Sequence, residues 1–253
     1  MVALHGHHAV VTGGGRGIGR AVASALAQAG ATVTVVGRSE STLAEATAQG
    51  HAAGYIVADV TDGRAVSAGL ERAAAARGAI SILVANAGGA ESAAFAKADP
   101  EVFRRMFDLN VMGVVHASRA VLGGMVARGF GRIVAVASTA GLKGYAYASA
   151  YCAAKHAVVG LVRALALETV KTGVTVNAVC PGYTDTDLVR DSLPRITQKT
   201  GRPRDETLAA MIKDNPMGRL IKPEEVAAAV LSLCALEASA ITGTTLAVAG
   251  GEV

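Results

Sequence analysis

Short apolar runs recur along the chain, and longer stretches of helical period separate them. The runs are HAVVT at 8–12, TVTVVG at 32–37, GYIVA at 54–58, ISILVA at 80–85, the segment opening at Ile133, VTVNAV at 174–179 and ITGTTLAV at 241–248. Most are apolar at consecutive rather than alternate positions, the pattern of strands buried on both faces. Between them the sequence predicts helices from Ile18 to a stop at Gly30, over 39–48 with Ser39 as cap, and from near Gly63. Further helices are predicted over 100–128, 150–171, 205–213 and 223–236. Strands alternating with helices make right-handed β-α-β units. The expected fold is α/β: one doubly wound, parallel, seven-stranded sheet flanked by helices. No composition shift or internal repeat marks a boundary, so residues 1–253 are expected to form a single domain.

The first run leads directly into GGGRGIG at 13–19. A strand, a glycine turn and a helix start make an anion site, because the backbone can approach a pyrophosphate and the helix N-terminus offers free N–H groups. The second run ends at Arg38, roughly 20 residues beyond the glycines, where a dinucleotide-binding unit presents the side chain that meets the adenosine ribose. An acid there accepts from a 2′-hydroxyl, whereas Arg meets a 2′-phosphate. With Arg16 as a second cation, NADP(H) is favoured; NAD(H) is the alternative, through Glu40. Asp59 closes the third run and can accept from an adenine amino group, while Asp59 or Thr61 can equally cap the helix near Gly63. Asn86-Ala87-Gly88 follows the fourth run, where strand order reverses, and so borders the ligand crevice.

The stretch from Ile133 to Lys155 carries the candidate chemistry. Ser138 stands where its apolar run ends, and Tyr151 and Lys155 are four apart, which places them on one face of a helix. A fixed cation beside a phenol favours phenolate and suits it to acid-base work at neutral pH. Asn110 interrupts a helical stretch that is apolar on more than one face, and a buried amide there must find partners; as a bland alternative it caps a second helical segment. Residues 187–222 are polar, basic and punctuated by Pro and Gly, the composition of a lid.

Composition narrows the setting. Apolar residues make up 51% and charged residues 17%, which suits a globule with much buried surface and leaves room for self-association. No uninterrupted apolar run has the length of a membrane span, and no basic start with an apolar core opens the chain, so a cytoplasmic location without membrane contact is expected. Three cysteines without a C-x-x-C pair suggest neither a disulfide framework nor zinc, and His5, His7 and His8 lack ligand partners; no metal is expected. A net charge of +4 with dispersed basic residues does not indicate nucleic acid.

Together these residues resemble the short-chain dehydrogenase/reductase family, over essentially the whole chain. The family's Thr-Gly-x-x-x-Gly-x-Gly motif stands as Thr12-Gly13-Gly14-Gly15-Arg16-Gly17-Ile18-Gly19, its Asn-Ala-Gly element as Asn86-Ala87-Gly88, and its tetrad as Asn110, Ser138, Tyr151 and Lys155. Pro181-Gly182 with Thr186 matches the turn beside the nicotinamide. Ala85 departs from the Asn that many members carry before Asn-Ala-Gly. The resemblance implies a Rossmann fold and a hydride transfer between a nicotinamide cofactor and a carbonyl or alcohol. Tyr151 is implied as general acid or base, with Ser138 polarising the carbonyl, Lys155 lowering the tyrosine pKa and holding ribose, and Asn110 holding a relay water. The implied cofactor set is Gly13, Gly15, Arg16, Gly17, Ile18, Gly19, Arg38, Ser39, Asp59, Val60, Asn86, Ala87, Gly88, Tyr151, Lys155, Pro181, Gly182, Thr184 and Thr186.

The lid resembles those of members acting on 3-oxoacyl or 3-hydroxyacyl thioesters, and also those of small 3-hydroxyacid dehydrogenases. Arg190, Arg195, Lys199, Arg202 and Arg204 can engage phosphates of coenzyme A or an acidic carrier, or simply keep the lid solvated. The first expectation is a 3-oxoacyl-thioester reductase or its reverse, the second a dehydrogenase of a non-thioester alcohol. From another class, a non-catalytic cofactor-binding partner subunit is a remote alternative; loss of a tetrad member would have favoured it, and none is lost. The resemblance also implies a homotetramer joined through 100–128 and 150–171.

Overall fold

At the centre of the sheet, β1 (His8–Thr12) pairs in parallel with β2 (Thr32–Gly37) on one side and β4 (Ile80–Ala85) on the other. Outward from these lie β3 (Gly54–Val57), β5 (Gly131–Val136), β6 (Val174–Pro181) and β7 (Thr245–Val248), giving seven strands in the order β3-β2-β1-β4-β5-β6-β7. Every pairing is parallel. The computed structural model describes residues 2–187, 189, 190, 194, 197, 201 and 203–253. The chain runs outward through β1, β2 and β3 and then crosses to β4. That reversal sets the carboxyl ends of β1 and β4 side by side, with Thr12 in register with Ala85.

Both faces of the sheet are covered, which is why its strands carry so few polar residues. One face packs α1 (Gly17–Gln28), α2 (Glu40–Ala48) and α8 (Pro223–Cys234) around Val11, Val35 and Val84. The other packs α3 (Gly63–Arg77), α4 (Pro100–Phe107), α5 (Gly113–Ala127) and α6 (Ser149–Thr169) around Val10, Leu83 and Ile133. The lid contributes α7 (Arg204–Ile212).

Several sequence expectations shift in detail. The helix near Gly63 is capped by Asp62, whose carboxylate accepts from Arg64 N at 2.9 Å and Ala65 N at 3.0 Å, so neither Asp59 nor Thr61 is its cap. Ser39 occupies the N-cap of α2 but makes no side-chain cap bond; its hydroxyl meets Ser41 instead. The last strand is shorter than the 241–248 run. Asn177 takes the backbone of Ile241 and Thr244 with its side chain, and Gly243 turns there with a φ of 74°, so ladder pairing starts only at Thr245. The break near Asn110 is a π-helical turn over Asp108–Met112 that joins α4 to α5.

Membrane character also needs revision. Pro100–Ala127 and Ser149–Thr169 have the length and hydropathy to cross a bilayer. In this fold 44% of each apolar stretch is buried, on the sheet, between the two helices and against α3.

Candidate active site

The site grows from the carboxyl ends of β1, β4, β5 and β6. At the first two, Thr12 and Asn86 clamp the strands together. Thr12 Oγ1 accepts from Asn86 N and Ala87 N, each at 3.0 Å, and Asn86 Nδ2 donates back to Thr12 O at 2.9 Å and Gly13 O at 3.3 Å. Gly13 stands between them with a φ of 66°, and a Cβ there would lie 2.8 Å from Asn86 Nδ2. The turn thus lies flat on the Asn86 loop.

Beyond it, α1 opens with no acidic residue in its first turn and with Arg16 at the N-cap making no side-chain cap bond. Its first N–H groups carry no side-chain acceptor, the condition for receiving a phosphate. Gly15 lies against Thr42, where a Cβ would meet Oγ1 at 2.7 Å, and Gly17 faces Thr186, whose Cγ2 would be 3.2 Å away. Ile18 is half-buried beside the buried Gly19. A cradle without side chains, beneath an uncapped helix start, fits a pyrophosphate.

At the carboxyl end of β2 the exposed Arg38 reaches Asp59 at 3.8 Å, beside Ser39. Asp59 accepts from Thr61 N and Oγ1, both at 2.9 Å, and these bonds, chiefly the backbone one, hold its carboxyl below its ordinary pKa. Glu40 is taken by Tyr55, whose hydroxyl donates to it at 3.1 Å. Val60 turns the chain here, and its carbonyl meets His116 Nδ1 at 2.9 Å.

The catalytic candidates converge. Ser138 follows β5; its Oγ accepts from Ala140 N at 3.1 Å, and its hydroxyl is close enough to the Tyr151 phenol to favour the phenolate. Burial pushes that phenol up to about 12 over the smaller opposing effect of Ser138, and no contribution from Lys155 offsets it. Lys155 lies with its ammonium 5.7 Å from the Tyr151 ring centroid and donates to Val136 O at 2.9 Å; burial lowers its pKa to about 8. In this state desolvation therefore outweighs the tuning expected from the Tyr-Lys spacing.

Asn110 is fully buried and its amide is spent inside the fold. Nδ2 donates to Gly89 O and Met106 O, each at 3.0 Å, while Oδ1 accepts from Gly89 N at 3.2 Å. The backbone groups expected around this buried amide are there: the side chain ties down Gly89, beside the Asn86-Ala87-Gly88 loop, and it does not cap a helix. A Cβ at Gly88 would stand 2.7 Å from Asn110 Oδ1 and 3.5 Å from Lys155 Nζ, so this loop, Asn110 and Lys155 form one packed group.

After β6 the chain turns at Pro181 and Gly182. Gly182 N donates to Val248 O at 3.0 Å, Thr184 Oγ1 donates to Gly182 O at 3.0 Å, and Thr186 Oγ1 donates to Thr184 O at 3.3 Å. Of the lid cations, Arg190 is paired with Asp185 at 3.0 and 3.1 Å and Arg204 opens α7, whereas Arg195, Lys199 and Arg202 lie outside the described residues. Sequence reading passed over the Thr12 hydroxyl, although it stood inside a quoted motif. It also passed over Lys143, Tyr145 and Glu252, which no motif signals.

A doubly wound parallel sheet with a glycine cradle after β1, and Ser138, Tyr151 and Lys155 gathered after β5, defines a dinucleotide-dependent oxidoreductase. Residues 7–196 match the family model described as short chain dehydrogenase. The chain belongs to that family, whose enzymes act on alcohol and keto groups with a nicotinamide cofactor. It is 42% identical to cis-4-hydroxycyclohexanecarboxylate dehydrogenase of Sinomonas cyclohexanicum, over 96% of this chain and 95% of that protein. It is 39% identical to acetoacetyl-CoA reductase of Rhizobium meliloti (strain 1021), over 96% and 97%. Among solved structures, a variant of actinorhodin polyketide ketoreductase with NADPH superposes with a TM-score of 0.94 at 34% identity, covering 100% of this chain and 99% of that one.

Proposed function

We propose that the chain interconverts a 3-oxoacyl thioester and its 3-hydroxyacyl counterpart with NADP(H). The observation that carries the chemistry is the convergence of Ser138, Tyr151 and Lys155. Ser138 stands beside the Tyr151 phenol, and a substrate carbonyl oxygen that binds between them receives both hydroxyl groups. In reduction the Tyr151 phenol gives its proton to that oxygen; in oxidation the phenolate takes it from the alcohol. The bound nicotinamide supplies or accepts the hydride. Lys155 holds its cation under the phenol, where it would bind the ribose of the nicotinamide cofactor, and Asn110 keeps the Gly88 loop against it.

Support for NADP(H) comes from Arg38, exposed and held only at 3.8 Å by Asp59, and from Arg16, exposed in the glycine turn. The acid that would favour a free 2′-hydroxyl, Glu40, is engaged by Tyr55. Support for a thioester comes from the acetoacetyl-CoA reductase relative. A second reading, oxidation of a free hydroxy acid, is favoured by the 42% identical hydroxycyclohexanecarboxylate dehydrogenase. Steady-state rates with acetoacetyl-CoA, 4-oxocyclohexanecarboxylate and an aryl ketone, each with NADPH and NADH, decide between them. The highest kcat/KM is expected for acetoacetyl-CoA with NADPH, and a higher value for the free oxo acid selects the second reading.

A homotetramer joined through α4, α5 and α6 is part of the proposal. Phe107, Val126, Leu167 and Val170 are exposed apolar side chains on or beside these helices. Light scattering is expected to give four times the chain mass, and a monomer at micromolar concentration would refute the assembly.

A further inference from the structure

Glu252 stands in the segment after β7, far in sequence from the candidate tetrad, yet its side chain is only 3% exposed. A carboxylate at such depth needs donors. It has two, both from the loop that follows Ser138. The Tyr145 hydroxyl donates to Glu252 Oε1, and Lys143 Nζ approaches the same oxygen at 2.9 Å. Tyr145 in turn accepts from Thr139 Oγ1 at 2.7 Å, so a hydrogen-bonded chain runs from Glu252 to the residue adjoining Ser138.

The same cluster reaches the turn after β6 and the lid. A Cβ at Gly182 would stand 3.0 Å from Glu252 Oε2, which places the carboxylate directly against the turn after β6. Tyr145 meets the ring of Tyr183, the next residue of that turn, edge to face at 6.2 Å. On the opposite side Lys143 reaches Asp214 of the lid at 3.7 Å. The backbone that delivers Glu252 is itself seated on the lid: Gly250 has a φ of 63°, and a Cβ there would lie 2.8 Å from Met217 Sδ, while Gly251 would meet Pro216 Cγ at 3.3 Å.

We propose that Glu252 is a positioning residue, a latch that fixes the spacing between the Ser138–Tyr145 wall, the Pro181–Tyr183 turn and the base of the lid. It rests on the proposed carbonyl-alcohol chemistry only in that the gap so fixed is where the substrate carbonyl lies. Of the implied cofactor residues its contacts meet only the Pro181–Gly182 turn and leave the glycine cradle and Arg38 alone, so its effect is expected to fall on substrate more than on NADPH. Glu252→Gln keeps an acceptor for Tyr145 but removes the charge opposite Lys143; Tyr145→Phe removes one hydroxyl and leaves the ring packed on Tyr183.

The test uses the full chain, with acetoacetyl-CoA and the free oxo acid as substrates. Each variant is expected to raise the KM of the preferred substrate about tenfold while leaving NADPH affinity within about twofold. The double variant is expected to be no worse than the poorer single one, as for two members of one linkage. Unchanged substrate KM in both single variants, additive losses, or a matching loss of NADPH affinity would overturn the latch. Hydrogen exchange gives a readout independent of turnover: amides of 141–147 and 214–217 are expected to exchange faster in Glu252→Gln, and unchanged exchange overturns the latch as well. A wild-type chain that reduces none of the substrates, yet shows the faster exchange in the variant, overturns the proposed function and leaves the latch standing.

Discussion

The Lys155 ammonium lies 5.7 Å from the centroid of the Tyr151 ring and is bonded to the Val136 carbonyl, so the cation sits beneath the phenol without pairing with it. Two opposed shifts follow from burial, the phenol pushed up to about 12 and the ammonium down to about 8. Without ligand, residue 151 is expected to stay protonated to pH 10. An ultraviolet titration at 295 nm should give the same phenolate absorbance below that pH for wild type and Tyr151→Phe. Turnover in Tyr151→Phe is expected to fall by at least about 10²- to 10⁴-fold with NADPH binding largely retained. Retained activity would sink the assignment.

In the oxidation direction Tyr151 must be deprotonated to act, so the rate should rise with pH until the phenolate form dominates. Lys155 is charged below about 8 and loses that charge above it. The phenol stands at about 12 with no contribution from Lys155, so Lys155→Met is expected to leave the rising limb in place and to lower kcat and cofactor affinity. A limb that moves to higher pH in the variant would show that the ammonium tunes the phenol once cofactor is bound.

Arg38 is the exposed cation at the end of β2, and a 2′-phosphate there would replace its long contact with Asp59. Arg38→Ala is expected to raise the KM for NADPH by about 10- to 100-fold, the worth of a charge-assisted pair, with little change for NADH. Equal effects on the two cofactors would remove the support for NADP(H).

Much of this was legible because the strands are buried on both faces. Continuous apolar runs located β1, β2 and β4 to the residue, and the glycine turn and Tyr-x-x-x-Lys spacing are local patterns that survive without tertiary knowledge. What stayed hidden depends on partners distant in sequence. Asp62 caps α3 rather than Asp59, since the choice among neighbouring acids is made by where the chain turns after β3. The burial that raises Tyr151 and the engagement of Asn110 by Gly89 arise from packing between separate elements. Glu252 meets residues more than 100 positions away in a segment with no pattern of its own.

Thr12 was passed over for the same reason, and its buried hydroxyl oxygen serves two N–H groups at once. Thr12→Val keeps the shape and β-branching but strands both donors. The expected cost is about 1–3 kcal/mol in unfolding free energy, with a raised KM for the cofactor because the Asn86 loop loses its anchor. Thr12→Ser, which keeps the oxygen, should recover most of both. Denaturant unfolding of the two variants measures the difference.

At the opposite end of the sheet, His8 opens β1. His8 is 2% exposed, with Nε2 against Thr34 Oγ1 at 2.8 Å and Nδ1 against Gly78 O at 2.7 Å. Burial lowers its pKa below 6.5, over a smaller opposing effect of the Gly78 bond, and burial with nearby Arg132 lowers that of His7. The folded chain therefore binds fewer protons than the unfolded one at mildly acidic pH. Stability is expected to be full above 6.5 and to be lost as pH falls from there through the lowered folded values. His8→Gln keeps groups able to bond Thr34 and Gly78 without a titrating ring, so its unfolding midpoint should depend less steeply on pH between 5 and 7. Parallel curves for wild type and variant would show that other groups govern the acid limb.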